Sequence, residues 1–182
     1  MMNQTDTSKF PRYDKLITDA RVHSSLYTDE KVFEDELNKI FRMGWVFICH
    51  DSEIPNAGDF VRRNVGREPV FAIRSRDGEI SVIVNRCAHR GNIICQEDKG
   101  NTKALVCQYH GWAYDTKGAL VDVPYPGGFK GDFSCHGLER LPLVDSYQGF
   151  VFASFNENAP PLLNHLGRAT ELIDRAVEMS PV

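Results

Sequence analysis

Short apolar runs separated by turn residues fill the middle of this chain. Runs of about five residues bounded by glycine, proline or aspartate are typical of β-strands, because helices need longer segments of apolar periodicity. Asp77-Gly78 predicts a hairpin turn between two of these runs. The predicted strands are residues 45–49, 60–64, 70–74, 80–84, 112–114, 119–121 and 147–155. The centre of the chain is therefore predicted to be all-β.

One helix is predicted on each side of these strands. Thr28 can cap a helix whose first turn is acidic, and Gly44 is a plausible stop for it. Pro160-Pro161 predicts the start of a second helix near the end of the sequence. The side chains expected to share one face of that helix are Leu163, Leu166, Thr170, Ile173 and Val177.

Composition argues against several classes of protein. The 182 residues include 21 Lys and Arg against 25 Asp and Glu, a net charge of −4 without a basic cluster, so nucleic acid is not the expected partner. No apolar run approaches the roughly 20 residues that span a bilayer. Residues 1–12 are polar and lack the apolar core of a secretion signal. We expect a cytoplasmic protein that acts away from membranes.

Two cysteine–histidine motifs carry the chemistry of the sequence. Five cysteines are an odd number for a disulfide scaffold, and in a reducing compartment clustered Cys and His are better explained as metal ligands. Cys87-Ala88-His89-Arg90-Gly91 and Cys107-Gln108-Tyr109-His110-Gly111-Trp112 leave 17 residues between the first His and the second Cys. Two thiolates and two imidazoles suit a tetrahedral zinc ion or the two irons of a [2Fe–2S] cluster. A two-Cys, two-His zinc finger pairs Cys with Cys and His with His along the chain. Here each motif offers one Cys and one His, and this order favours the cluster.

The pair of motifs resembles the Rieske iron–sulfur family. Within it, Cys-x-His-Arg-Gly and Cys-x-Tyr-His-Gly-Trp resemble the large (α) subunit of aromatic-ring-hydroxylating dioxygenases, which are oxidoreductases of aromatic hydrocarbon catabolism. The resemblance implies an antiparallel β-sandwich with an inserted cluster-binding subdomain. It implies that Cys87 and Cys107 bind one iron of a Rieske-type [2Fe–2S] cluster, and that His89 and His110 bind the other. We accordingly expect an N-terminal segment over 1–44, the Rieske domain over 45–157, and a C-terminal helix over 158–182.

Residues beside these four are expected to surround the cluster. They are Arg90, Gly91, Gln108, Gly111, Trp112 and Tyr114. Related Rieske proteins of respiratory chains carry one further Cys in each loop, and those two form a disulfide; here Asn92 and Tyr109 stand in their places. Those proteins also place a Ser where this chain has Trp112. Because fewer donors stabilise the added charge less, we predict a reduction potential in the lower part of the family's range of roughly −150 to +300 mV.

The resemblance also implies a role in electron transfer. A ferredoxin or flavin reductase would supply electrons, and a mononuclear non-haem iron in a catalytic domain or a neighbouring oxygenase subunit would receive them. That iron needs two His and one carboxylate. After the second motif only His136 and His165 occur, too far apart for one helix turn, so we expect the catalytic iron site to lie outside this chain. A free-standing Rieske-type ferredoxin and a structural zinc-binding module remain alternatives.

Overall fold

A computed structural model describes residues 13–128 and 136–180 of the chain. The strands are β1 (Ile17–Thr18), β2 (Arg21–Val22), β3 (Val46–His50), β4 (Asp59–Val65), β5 (Glu68–Arg74), β6 (Ile80–Val84), β7 (Lys99–Asn101), β8 (Leu105–Val106), β9 (Ala113–Tyr114), β10 (Leu120–Asp122), β11 (Leu143–Tyr147) and β12 (Phe150–Ser154). The helices are α1 (Ser25–Thr28), α2 (Glu30–Glu36), α3 (Leu162–Leu166) and α4 (Ala169–Glu178). Every strand pairing is antiparallel, which confirms the predicted mainly β class.

Three sheets build the body of the protein. A four-stranded sheet in the order β6-β5-β4-β7 packs against a three-stranded sheet in the order β11-β12-β3, and together they form a sandwich. A smaller sheet, β10-β9-β8, belongs to an inserted subdomain, which we define as residues 86–122. The chain returns to the sandwich beside β6, where the Leu141 N–H donates to the Val82 carbonyl at 2.9 Å.

The four-stranded sheet is the central sheet of the molecule, and both of its faces are buried. Its side chains alternate with the pleat, so its strands supply apolar side chains to both faces. Val61, Ala72 and Val82 occupy one face, which packs against the aliphatic side chains of β3 and β12. Phe71 and Ile83 lie directly opposite each other on the other face, which packs against the inserted subdomain. The same strands therefore support both the sandwich and the subdomain that carries the two motifs.

The N-terminal helix forms with a different cap from the predicted one. Asp29 is the N-cap of α2, and its carboxylate accepts a hydrogen bond from the Lys31 N–H at 2.8 Å. Thr28 is instead the last residue of the preceding helical turn, α1. Asp29 rather than Thr28 is the N-cap because its extended backbone directs the carboxylate at the unpaired N–H groups of the first turn. The helix continues as a π-helical turn, Leu37–Phe41, and ends shortly before Gly44.

Two expectations near the C-terminus had the wrong bounds. The strand predicted over 147–155 is β12, but it begins only at Phe150, because Gln148 and Gly149 have φ of +50° and +82° and reverse the chain between β11 and β12. The single C-terminal helix is broken at Gly167, whose φ is +49°, into α3 and α4. Both errors have one cause: residues with left-handed backbone were assigned to the interior of a regular element. Across the described residues, every helix falls short of the length and apolarity needed to cross a bilayer.

Candidate metal centre

Both cysteine–histidine motifs form the same backbone turn. In the first loop (residues 87–92) the Cys87 N–H donates to the Asn92 carbonyl at 2.7 Å, and the Gly91 N–H donates to the Cys87 carbonyl at 2.9 Å. In the second loop (residues 107–112) the equivalent bonds join Cys107 to Trp112 at 2.8 Å and Gly111 to Cys107 at 2.9 Å. The two loops are therefore one structural unit used twice.

Glycine at the fifth position of each turn is required by the backbone. Gly91 and Gly111 both have φ of +72°, a left-handed conformation that L side chains rarely adopt. The two glycines therefore serve the backbone geometry of the loops. The histidines do not occupy equivalent places, since His89 is two residues after its cysteine and His110 is three residues after its own.

The two thiols form the buried side of the site. Cys87 and Cys107 are 3% and 2% exposed, and they lie within side-chain hydrogen-bonding reach of each other. The fully buried Tyr114 hydroxyl is 3.1 Å from the Cys87 sulfur. Burial acts to raise the pKa of Cys107, but hydrogen bonds from the backbone N–H groups of Tyr109 and His110, and from the Cys87 and Asn92 side chains, outweigh it and lower that pKa. The site therefore favours a thiolate at this position.

The two imidazoles form the outer side of the site. The ring centroids of His89 and His110 are 4.6 Å apart at an interplanar angle of 66°, and both rings are half-buried. Trp112 stacks on His89 with centroids 4.8 Å apart and planes within 5°, while Tyr109 covers His110 at 3.8 Å. Burial, together with the nearby His110 and Arg90 charges, lowers the pKa of His89. A neutral imidazole is the form that binds a metal.

A buried asparagine that sequence reasoning missed anchors the exit of the first loop. Asn85 is 1% exposed and its side-chain oxygen accepts from the N–H groups of Ile94 and Cys95 at 3.0 and 2.8 Å. Its Nδ2 donates to the Cys95 carbonyl at 2.8 Å. The sequence signal that could have identified Asn85 is its place as a polar residue directly after the apolar run of β6. Because a buried amide must be satisfied, this side chain holds the loop to the end of the strand.

The remaining predicted neighbours divide into two groups. Trp112 and Tyr114 contact His89 and Cys87 respectively, as given above. Arg90 and Gln108 are exposed at the rim of the site, where Arg90 acts on His89 through its charge. His136, which had no predicted role, meets the edge of Trp112 at a centroid distance of 6.0 Å.

The cysteines outside the motifs occupy other surroundings. Cys49 is a buried residue of the sandwich, and burial raises its pKa to about 11. Cys95 is buried beneath the first loop, and burial raises its pKa to about 12. Both have the protonated, inert character of small core residues. Cys135 lies outside the described residues.

The donor set fits a dinuclear iron–sulfur group by its chemistry. Two thiols lie together on the buried side, and two imidazoles, one of them held neutral by its surroundings, lie together on the outer side. A Rieske cluster takes two Cys on one iron and two His on the other. Within residues 13–128 and 136–180, no three Cys, His, Asp or Glu side chains converge on the position of a single ion. The protein donors are thus arranged as two pairs.

Comparison with known proteins decides the family. The family model described as "Rieske [2Fe-2S] domain" matches residues 44–147. The chain belongs to the Rieske [2Fe-2S] domain family. This Rieske domain is 42% identical over 163 residues to the α subunit of N,N-dimethyl phenylurea N-demethylase from Sphingobium sp., covering 87% of this chain and 35% of that protein. It is 42% identical over 166 residues to the α subunit of biphenyl 2,3-dioxygenase from Rhodococcus jostii, with the same two coverages.

Solved structures agree with the sequence relatives. The Rieske domain matches naphthalene 1,2-dioxygenase from Rhodococcus sp. with a TM-score of 0.82 and 34% identity, covering 90% of this chain and 38% of that one. It matches a quaternary ammonium Rieske monooxygenase with a TM-score of 0.77 and 29% identity, covering 84% of this chain and 42% of that one. The relatives include α subunits of aromatic-ring dioxygenases, the class that the two motifs resemble. The chain spans about a third of the length of the curated relatives it matches.

Proposed function

We propose that this chain binds a Rieske-type [2Fe–2S] cluster and transfers electrons for a ring-hydroxylating oxygenase. Cys87 and Cys107 hold one iron, and His89 and His110 hold the other. The cluster, when bound, accepts and releases one electron at a time. The substrate is oxidised elsewhere, at a mononuclear non-haem iron in a catalytic domain or neighbouring subunit.

The asymmetry between buried thiols and outer imidazoles carries this proposal. Both cysteines are almost fully buried beneath the loops, whereas both histidines are half-buried at the surface. The thiol pair therefore seals one side of the site from water, and the imidazole pair leaves an edge that a redox partner can approach. Electrons leave the cluster through His110 in this proposal. The ring nitrogen of His110 that is not bound to metal can donate a hydrogen bond to a carboxylate of the partner.

The partners follow from the same role. A ferredoxin or flavin reductase supplies the electrons, and the oxygenase catalytic domain or a neighbouring oxygenase subunit receives them. Two relatives are named as α subunits, one of an N-demethylase and one of biphenyl 2,3-dioxygenase, which supports the proposal at the level of partner class. We place the reaction in the cytoplasm, where reducing conditions keep the ligand thiols free of disulfides.

Electron paramagnetic resonance (EPR) of the dithionite-reduced protein tests the cluster and its ligands together. Protein supplied with iron and sulfide should be coloured and give the signal of mixed Cys and His ligation. His110→Ala should abolish or change that signal, whereas His165→Ala, the same change at an exposed histidine of α3, should preserve it. A colourless, zinc-loaded protein would refute the proposal and support the zinc module. An intact cluster that exchanges electrons with a ferredoxin but never binds an oxygenase catalytic partner in gel filtration would favour the free-standing ferredoxin.

A further inference from the structure

The residue five positions after each cysteine acts on both loops. The Asn92 and Trp112 carbonyls close their own turns by accepting from the cysteine N–H groups. Their side chains cross to the opposite loop: Trp112 stacks on His89, and Asn92 directs its Nδ2 at the Cys107 sulfur, 3.8 Å away. The two loops thus exchange one side-chain contact each, at equivalent positions of the same turn.

The orientation of the Asn92 amide is set by a neighbouring carbonyl. Its Nδ2 lies 3.0 Å from the Ile93 carbonyl oxygen. A carbonyl only accepts, so the NH2 end of the amide must face it and the oxygen end must point away. One N–H is used by Ile93 and the second remains for Cys107, since an amide NH2 carries two hydrogens. The half-buried amide is therefore held as a donor toward the sulfur.

When both cysteines are bound as thiolates their sulfurs only accept, and each ligand sulfur then has one side-chain donor of its own. The Tyr114 hydroxyl lies at the Cys87 sulfur, and the Asn92 amide lies at the Cys107 sulfur. A hydrogen bond to a cluster sulfur stabilises the extra negative charge of the reduced state, which raises the reduction potential. Charge-assisted hydrogen bonds are stronger than neutral ones, so the effect is largest in the reduced state.

We infer that Asn92 is a positioning residue that ties the first loop to the second and raises the reduction potential by donating a hydrogen bond to the Cys107 sulfur. This inference rests on the proposed function. It assigns a role to a position that the sequence marked only by its lack of a cysteine.

A redox titration of the cluster-loaded protein followed by EPR tests this role. In Asn92→Leu, which keeps the approximate size but removes the donor, the equilibrium constant for reduction should fall by up to about tenfold, which is about 59 mV for one electron. Gln96→Leu is the matched control, because it makes the same amide-to-leucine change at an exposed residue of the neighbouring segment. Tyr114→Phe removes the donor to the other sulfur and should lower the potential as well.

Two further variants keep the test informative if Asn92→Leu does not fold. Asn92→Gln retains an amide donor and should keep the potential close to that of the unmodified protein. Asn92→Asp retains the size, loses both N–H groups and adds a negative charge, so its potential should lie below that of Asn92→Gln. If Asn92→Leu does not incorporate the cluster, equal potentials in this second pair would still overturn the inference.

Three outcomes would be decisive. Equal potentials in Asn92→Leu and Gln96→Leu would overturn the inference and leave the proposed function intact. Equal potentials in Asn92→Asp and Asn92→Gln would do the same. An unmodified protein that stays colourless with iron and sulfide would overturn the proposed function itself, and the inference with it.

Discussion

The two faces of the central sheet are covered by cores of different kinds. On the sandwich face, strands of five to seven residues bury aliphatic side chains such as Ile48 and Val151. On the other face, the inserted subdomain buries three cysteines with Trp112 and Tyr114, and its own strands are only two or three residues long. Short strands make few ladder hydrogen bonds, so the three-stranded sheet of the subdomain has little stability of its own. The sandwich can therefore fold by burial alone, whereas the subdomain depends on what joins its loops.

Removing a cluster ligand should give the largest effect. It should lower the hydrogen-exchange protection of the subdomain and leave that of the sandwich unchanged. In Cys107→Ser, we expect loss of the cluster and faster hydrogen exchange across residues 86–122, on the order of a thousandfold or about 4 kcal/mol of local opening free energy. Amides of β4–β6 should keep their protection. Hydrogen exchange followed by mass spectrometry makes the comparison, with Cys49→Ala as the control that removes a thiol from the sandwich. Unchanged protection of the subdomain without the cluster would show that the subdomain does not depend on the cluster for its stability.

Truncation in the sandwich should have the opposite pattern. Ile48 is 1% exposed in the aliphatic core, so Ile48→Ala should lower the free energy of unfolding by about 3 kcal/mol through lost burial and a cavity. The visible spectrum of the loaded protein should not change. Val121→Ala, at an exposed position of β10, should alter neither quantity. A changed cluster spectrum in Ile48→Ala would mean that the two cores are coupled more tightly than their packing indicates.

The two loop glycines provide a smaller and more local test. Gly91→Ala should cost about 1–2 kcal/mol because its φ is +72°. Gly111 has the same φ, but a Cβ there would lie 2.9 Å from Cγ of Pro124, whereas at Gly91 the nearest atoms are 3.7 Å away on the flexible Arg86 side chain. Gly111→Ala should therefore release the cluster faster than Gly91→Ala, measured as the decay of visible absorbance on mild heating. Equal decay rates would show that the Pro124 contact does not constrain the second loop.

The smallest effect is expected where the subdomain meets the sandwich through exposed charges. Lys117, in the β9–β10 turn, reaches Asp77 at 2.5 Å and Glu79 at 2.7 Å in the β5–β6 hairpin. Lys117→Met should lower the thermal midpoint by no more than about 2 °C at neutral pH, since exposed ion pairs contribute little.

The pH dependence of this contact follows from its carboxylate. The hydrogen bond from Lys117 lowers the pKa of Asp77, so the contact stabilises the fold above the ordinary aspartate pKa and is lost as the pH falls through the lowered value. Thermal midpoints of the unmodified protein and Lys117→Met should therefore differ at pH 7 and converge in acid. A difference that persisted at a pH well below 3 would contradict this assignment.

Most of the sandwich could be predicted because its signals are local. The strands expected over 60–64, 70–74 and 80–84 appear as β4, β5 and β6, with the turn at Asp77-Gly78 between the last two. The errors occurred where one or two left-handed residues interrupt an apolar pattern, as at Gln148-Gly149 and at Gly167. The very short strands β7 and β8 also escaped prediction, since two or three residues carry no period.

The sequence alone determined the chemistry of the site, because each motif places its Cys, its His and its Gly close together in the chain, over 87–91 and over 107–111. Only the tertiary structure decided how that chemistry is arranged: thiols inward, imidazoles outward, Asn92 directed at Cys107 and Trp112 stacked on His89. The physical reason is distance along the chain. A turn depends on neighbouring residues, whereas a contact between two loops exists only after the central sheet has brought their strands together.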